Sequence, residues 1–295
     1  MTNIRKKLTS GRFAGFRKLI PAAALCLMTL STSAQSAQSE SDADIPRPVT
    51  STYRIEIGGS SALSTYLSPI RYNGLHAGVS GTWSKAPRQS PEHWIMEFEG
   101  ALYWRSMRNP ARTSIMAGLD GRFDLGLSYR WRLPYGIQLS AGPSLHLNGG
   151  ALYMLRNGNN PVTAIAYAGI AARGAISWRT KIGRLPVLVS NHVSLPTLGA
   201  FFCPEYGETY YEIWLGNHKN LAHCGWWGNA FAINNHLSVT LDFGRTAMEI
   251  GYRYSFNSYW ANSLNTKMGT HAFTIGVIPG GIGLKNKSKV NYSIY

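Results

Sequence analysis

The sequence predicts an all-β protein, an antiparallel up-and-down transmembrane β-barrel of about ten strands. Three observations carry that expectation: an export signal at the N-terminus, a period-two apolar/polar alternation repeated along the rest, and no later window apolar enough for a membrane helix. At 295 residues the chain sits near the upper end for one all-β unit.

The N-terminal stretch is read as a secretory signal. Arg5, Lys6, Lys7, Arg12, Arg17 and Lys18 form a basic region without an acidic residue, Leu19 to Leu30 is apolar, and Thr32-Ser33-Ala34 offers a small-residue cleavage site. The apolar run is about half of the roughly 20 residues a spanning helix needs. Cys26 lies inside it after Leu25, without the small residues of lipoprotein processing. The expected organisation is a signal at 1–34, a short linker at 35–50, a barrel at 51–279 and a basic tail at 280–295.

Cleavage after Ala34 removes six of 29 basic residues and none of 14 acidic ones, leaving 23 against 14, a net +9 rather than +15. An exported chain does not meet nucleic acid, so this charge points to outer-membrane lipids and the phosphates of lipopolysaccharide. An exported barrel also implies the barrel-assembly machinery as a partner during insertion.

The strands follow in order. Tyr53, Ile55 and Ile57 oppose Arg54 and Glu56. Trp94, Met96, Phe98, Leu102 and Trp104 share one face, and Glu97, Glu99 and Arg105 the other. Phe123, Leu125, Leu127, Tyr129 and Trp131 alternate with Asp124, Gly126, Ser128 and Arg130. Ile137, Leu139, Ala141, Leu145 and Leu147 alternate with polar residues or glycine, as do Leu237, Val239, Leu241 and Phe243, the last row facing Asp242; Val187, Val189 and Val193 form the apolar row of their own strand. Met248, Ile250, Tyr252 and Tyr254 oppose Glu249 and Arg253; Phe273, Ile275 and Val277 oppose Thr274 and Gly276. Period two is the signature of a strand with one apolar face.

A soluble β-sandwich puts that face inside, a membrane barrel puts it against lipid. Aromatics at the row ends, strands of ten residues or more, and charges mixed with glycine on the polar face favour the membrane. Short turns are expected at 85–92, 132–136, 181–186 and 244–246. Longer external loops are expected at 64–73, 107–113, 155–161, 195–235 and 257–267. That gives ten strands, or twelve if Tyr210 to Ile233 adds a hairpin. A barrel this small has a lumen filled by side chains.

Two stretches resemble a family of uncharacterised Gram-negative outer-membrane β-barrel proteins, a domain of unknown function: Leu67-Ser68-Pro69-Ile70-Arg71-Tyr72-Asn73-Gly74, and the run Gly199 to Ile213 that contains Phe201-Phe202-Cys203-Pro204-Glu205-Tyr206-Gly207-Glu208-Thr209-Tyr210-Tyr211. The resemblance covers about Tyr53 to Pro279. It implies a membrane barrel and no assigned activity.

Four groups of residues are candidate sites. His192 and Ser194 have the His-x-Ser spacing of outer-membrane acyl hydrolases, in which histidine takes the serine proton, with Glu205, Glu208 or Glu212 available as the third member. Strand parity, however, puts both on the lumen side rather than the lipid side. The polar face holds Arg54, Glu56, Glu97, Glu99, Arg105, Asp124, Arg130, Asp242, Glu249 and Arg253, which form an ion path or a neutralised plug. Tyr206, Tyr210, Tyr211, Trp214, Trp226 and Trp227, with His218 and His223, enrich one long loop suited to surface binding or girdling. Cys203 and Cys224 are expected to form a disulfide clipping that loop, worth about 3 kcal/mol. No pattern matches a phosphate loop, a dinucleotide fingerprint, a metal ligand set or a nucleic-acid motif, so no cofactor is expected. The function classes that remain are a structural, surface-binding or narrow-transport barrel, a lipid acyl hydrolase, and a soluble exported binding sandwich.

Overall fold

The computed structural model describes residues 49–87, 90, 92–154, 156–158 and 160–282. The expected signal peptide, most of the linker and most of the basic tail lie outside them. Ten long strands make the wall: β1 (Val49–Ser64), β2 (Ser68–Lys85), β3 (Trp94–Arg108), β4 (Ile115–Arg132), β5 (Ile137–Met154), β6 (Val162–Ile182), β7 (Leu185–Phe202), β9 (Ala230–Asp242), β10 (Thr246–Ala261) and β11 (Leu264–Pro279), with a short β8 (Ala222–Trp226) before β9. Each wall strand pairs antiparallel with its neighbours, β7 with β9, and β1 with β11 closes the ring. The segment from Tyr210 to Ile233 therefore does not add a spanning hairpin. It supplies only β8, which lies along the outer end of β7 from Leu198 opposite Trp226 to Phe202 opposite Ala222.

Alternation runs apolar outside and polar inside. On β4 the buried row is Met116, Gly118, Asp120, Arg122, Asp124, Gly126, Ser128 and Arg130, while Leu119, Leu125, Leu127 and Trp131 are exposed. Ile55, Ile57, Val79, Ile250, Phe273 and Ile275 are likewise exposed, a continuous apolar belt that water would penalise and hydrocarbon accepts. The soluble sandwich, with apolar faces packed on each other, is therefore not the architecture. Near the N-terminal end of β1 the belt is edged by rings in contact across neighbouring strands: Tyr53 with Trp83 at 5.8 Å, Trp83 with Phe98 at 5.2 Å, Trp94 with Tyr129 at 5.3 Å.

The wall strands run from 13 to 21 residues, beyond the roughly 9–11 that a tilted crossing needs. Much of the expected loops at 64–73 and 257–267, and part of that at 195–235, is consequently strand, whereas 109–114 and the described residues of 155–161 are loop. Residues 68–73, 195–202 and 257–261 continue the ladder, and β1–β2 and β10–β11 are joined by three and two residues, 65–67 and 262–263. The alternation is weaker there because a ladder standing above the lipid does not need an apolar outer face. Asn262 and Ser263, at φ 50° and 59°, make the two-residue turn, a geometry that requires positive φ at both central positions.

Three layers fill the lumen. Under the loops lies an apolar layer that includes Tyr72, Met107, Met116, Leu152, Tyr167, Phe201, Tyr259 and Met268. The middle layer is charged. At the opposite end Leu188, Ala247 and Ile278 enclose Ile282. Gly280 and Gly281, at φ 85° and 70°, turn the chain back under the barrel so that Ile282 reaches that cluster.

The outward row generates a direct expectation. Replacing Ile57, which is 59% exposed, by Arg should cost about 2–4 kcal/mol of folding stability in lipid at mid-bilayer depth. On a water-facing surface the same change would stay within about 0.5 kcal/mol. Urea unfolding of the two proteins in bilayers reads the difference.

Candidate functional site

The middle layer arises because strands of alternating pattern aim every second residue inward, and here those residues are acidic, guanidinium-bearing or imidazole. Arg54 donates from Nε to Glu249 Oε1 at 2.5 Å and from Nη1 to Thr82 Oγ1 at 2.6 Å. Arg253 lies 2.9 Å from Glu56 and 3.0 Å from Glu99. Glu99 also receives Arg122 at 2.5 Å, and Arg122 reaches Asp124 at 3.0 Å. His146 Nδ1 meets the other oxygen of Asp124 at 2.6 Å, and His76 Nε2 meets Glu56 at 2.8 Å. Arg105 pairs with Asp120, and Arg173 stands 3.6 Å from Glu97. Glu56, Glu99 and Asp124 are thus linked through the shared Arg253 and Arg122, and Glu249, Asp120 and Glu97 stand beside them in separate pairs with Arg54, Arg105 and Arg173, so the inner face is a layer of paired charges.

Of the residues named from sequence, Arg54, Glu56, Glu97, Glu99, Arg105, Asp124, Glu249 and Arg253 belong to this layer. Arg130 and Asp242 share the inward parity but sit at the end near Ile282. Arg130 donates to the Glu92 carbonyl at 3.0 and 3.2 Å, and Asp242 accepts from Gly244 N at 2.8 Å. Sequence reasoning missed His76, Asp120, Arg122, His146 and Arg173. The signal for two of them was present: Asp120 and Arg122 extend the Asp124 row by the same period, opposite the apolar Ile115, Ala117 and Leu119. Arg173 is hidden in an alanine- and glycine-rich strand.

His192 and Ser194 project into the lumen beside Glu97, Arg173 and Arg253, where narrow cavities separate them from the charged web. Ser194 Oγ has no hydrogen-bond partner among the described residues. Glu205, Glu208 and Glu212 are at the far end, in the loop that follows β7. Among the described residues no hydrogen bond links His192, Ser194 and a carboxylate, and both side chains line lumen cavities.

That loop folds into a cap over the mouth. Thr209 caps α1 (Tyr210–Trp214), its hydroxyl accepting from Glu212 N while Glu212 accepts from Thr209 N at 2.7 Å. Those bonds hold the Glu212 carboxyl below its usual range. Glu208 accepts from Glu205 N at 3.0 Å and Asn217 Nδ2 at 2.8 Å; Glu205 accepts from Asn220 Nδ2 at 2.7 Å. The carboxylates proposed as catalytic partners are thus used as staples. Tyr66, from the β1–β2 turn, donates to the Glu208 carbonyl at 2.6 Å and sets its ring edge-on to Tyr210 at 5.9 Å. Burial pushes its phenol up to about 12. Tyr210 accepts from Ala164 N at 2.5 Å, and Asn157 Nδ2 donates to the Leu67 carbonyl at 2.8 Å. Tyr206, Tyr211, Trp214, Trp226 and Trp227 remain exposed. Trp227 is also structural. The pairing of β7 with β9 ends at Ser194 and that with β8 starts at Leu198, and Trp227 Nε1 donates to the Pro196 carbonyl at 2.8 Å across the break.

The expected disulfide is not formed: Cys203 and Cys224 are both free. Cys203 N bonds to the Leu221 carbonyl, whereas Cys224 pairs with Ala200. The two cysteines are therefore offset by three ladder positions, about 10 Å along the strand, and face opposite sides. A disulfide needs Cα atoms within about 7 Å. Cys203 points inward, and burial pushes its thiol up to about 11; Cys224 is exposed. Among the described residues, no group of three or more His, Cys, Asp or Glu could hold a metal.

Two expectations follow from this geometry. Replacing Glu99 by Ala leaves Arg122 and Arg253 with one carboxylate each and a net uncompensated buried positive charge, and should cost about 3–5 kcal/mol, read as an earlier loss of the folded band on heating in detergent. A soluble maleimide at neutral pH should modify Cys224 well before Cys203, because thiolate is the reacting form; peptide mapping by mass distinguishes the sites, and reductant should not alter gel mobility.

Residues 22–288 match the family described as protein of unknown function (DUF3316). No curated protein matches the chain. Among solved structures it is similar to the translocator domain of the autotransporter NalP from Neisseria meningitidis (11% identity, 88% of this chain and 97% of that one, TM-score 0.37). It is similar also to the outer membrane protease OmpT from Escherichia coli (8%, 81% and 99%, TM-score 0.43) and to the transport unit of the autotransporter AIDA-I from Escherichia coli (8%, 88% and 98%, TM-score 0.43).

Proposed function

The chain belongs to DUF3316, a family of unknown function, and from that premise we propose that it is an integral outer-membrane barrel whose lumen is a sealed plug and whose working surface is its external cap. The observation that carries this reading is the three-layer filling of the lumen, apolar under the cap, ion-paired in the middle and apolar again around Ile282. A diffusion pore needs a continuous aqueous path, and a shared-arginine web crossing the lumen removes it. An outer-wall lipid hydrolase needs its serine and histidine against acyl chains, and His192 and Ser194 face inward.

The apolar belt supports a location in lipid, and the export signal read from residues 1–34 selects the outer membrane, reached by the barrel-assembly machinery. Outer-membrane lipids and lipopolysaccharide are then the immediate neighbours. The cap holds Tyr210 inward as an anchor and leaves Tyr206, Tyr211 and Trp214 outward, with the Tyr211 and Trp214 rings stacked at 6.1 Å. Exposed aromatic pairs present flat apolar area to a sugar face or a protein partner at small cost in side-chain entropy.

Planar-bilayer recording tests the sealed lumen. The purified wild-type protein should insert without a steady open-channel current, and a variant lacking residues 205–219 should also remain closed, because the ion-paired layer lies below the cap. A stable, voltage-independent conductance in the wild type would overturn the reading.

A further inference from the structure

Charge on the outside of this barrel is segregated by sign. Among the described residues the carboxylates occupy the lumen, the β2–β3 turn through Glu92, or the cap through Glu205, Glu208 and Glu212; no outward-facing strand position carries one. Basic residues do occupy outward positions, and three of them gather on one sector of the cap-side rim. Arg108, at the end of β3, stands opposite Asn73 of β2. Arg71 shares the outward parity of Asn73 and is the diagonal neighbour of Arg108, with Cα atoms about 7–8 Å apart.

Arg112 completes the group from the β3–β4 turn. Its φ of 57° lies in the left-handed region, and the turn is fixed by Asn109, whose Oδ1 accepts from Thr113 N at 2.8 Å and Ser114 N at 3.1 Å. The Asn109 carbonyl accepts from Arg112 N at 2.9 Å. All three arginines are exposed, and none makes an ion pair or side-chain hydrogen bond with a described residue. Directly below them on the same strands the wall is apolar and open: Leu75 is 46% exposed, Trp104 46% and Leu119 55%.

We propose that Arg71, Arg108 and Arg112 bind the phosphates of an acylated glycolipid of the outer leaflet, whose acyl chains lie against Leu75, Trp104 and Leu119. The arrangement matches the ligand's two parts: guanidiniums pair bidentately with phosphate, and the apolar wall beneath accepts hydrocarbon. A free anion would use only the upper half of the site, and an apolar partner only the lower. The inference rests on the reading that this rim is the external face of a membrane barrel.

The test uses the folded wild-type barrel in neutral detergent and a triple variant, Arg71→Gln with Arg108→Gln and Arg112→Gln. Lys85→Gln with Arg132→Gln on the opposite rim is the control. Binding of fluorescent bis-phosphorylated lipid A is compared with that of its dephosphorylated form, of phosphatidylglycerol and of inorganic phosphate. The triple variant should lose at least about tenfold in lipid A affinity with unchanged heat-modifiable mobility, and the control should lose little. The wild type should bind dephosphorylated lipid A about as weakly as the triple variant binds the intact lipid. Equal binding by the triple variant, equal binding of phosphatidylglycerol, or full competition by millimolar phosphate would each overturn the site while leaving the barrel intact. A wild-type protein without heat-modifiable mobility would instead overturn the membrane reading, and the site with it.

Discussion

Backbone hydrogen bonding in a medium without water is the constraint on which the rest of this molecule depends. A strand facing hydrocarbon has to satisfy its N–H and C=O groups on neighbouring strands, and only a closed ring has no edge. The β1–β11 pairing, twelve residue pairs from Tyr53 opposite Val277 to Ser64 opposite Thr266, supplies the closure. Once the ring is closed, each strand's two faces have fixed environments, lipid outside and a narrow lumen inside. The break in the ladder on the β9 side of β7, at Leu195 to Thr197, has its own device: Pro196 lacks an N–H, and its carbonyl is taken by Trp227.

The narrow lumen creates a second problem, which the charged layer solves. Isolated buried charges are strongly unfavourable, and the inner faces contribute many. Two of the arginines are shared rather than paired one to one: Arg253 serves Glu56 and Glu99, and Arg122 serves Glu99 and Asp124. Sharing couples these pairs, so that they tie β1, β3, β4 and β10 in one arrangement. Such a web stiffens the barrel more than it stabilises it, since desolvation offsets much of the attraction. A stiff cylinder is a mount for whatever stands on its rim.

The cap inherits that rigidity through contacts that cross the mouth. Tyr66 and Leu67 belong to the β1–β2 turn, yet they bond to Glu208 of the cap and Asn157 of the β5–β6 turn. Free cysteines are consistent with this arrangement, because polar staples within the cap and ring contacts beneath it already fix the loop. The cap-side rim then divides into an aromatic, acid-stapled cap and a basic sector on β2 to β4, two surfaces of different chemistry on one support.

Alternation by itself determined the barrel class, the inward direction of His192 and Ser194, and most of the charged row, because period two assigns a face to each residue before any partner is known. Strand ends, the cysteine geometry and the ion-pair partners were decided only by tertiary structure. Residues 257–267 read as a loop because their outer face stands clear of lipid and no longer needs apolar side chains, although Asn262-Ser263 carried the turn. Cys203 and Cys224 suited a disulfide by count and spacing, but register sets them three ladder positions apart on opposite faces. Which arginine meets which carboxylate depends on the stagger between strands distant in sequence, as Arg54 and Glu249 illustrate, and no local pattern encodes that stagger.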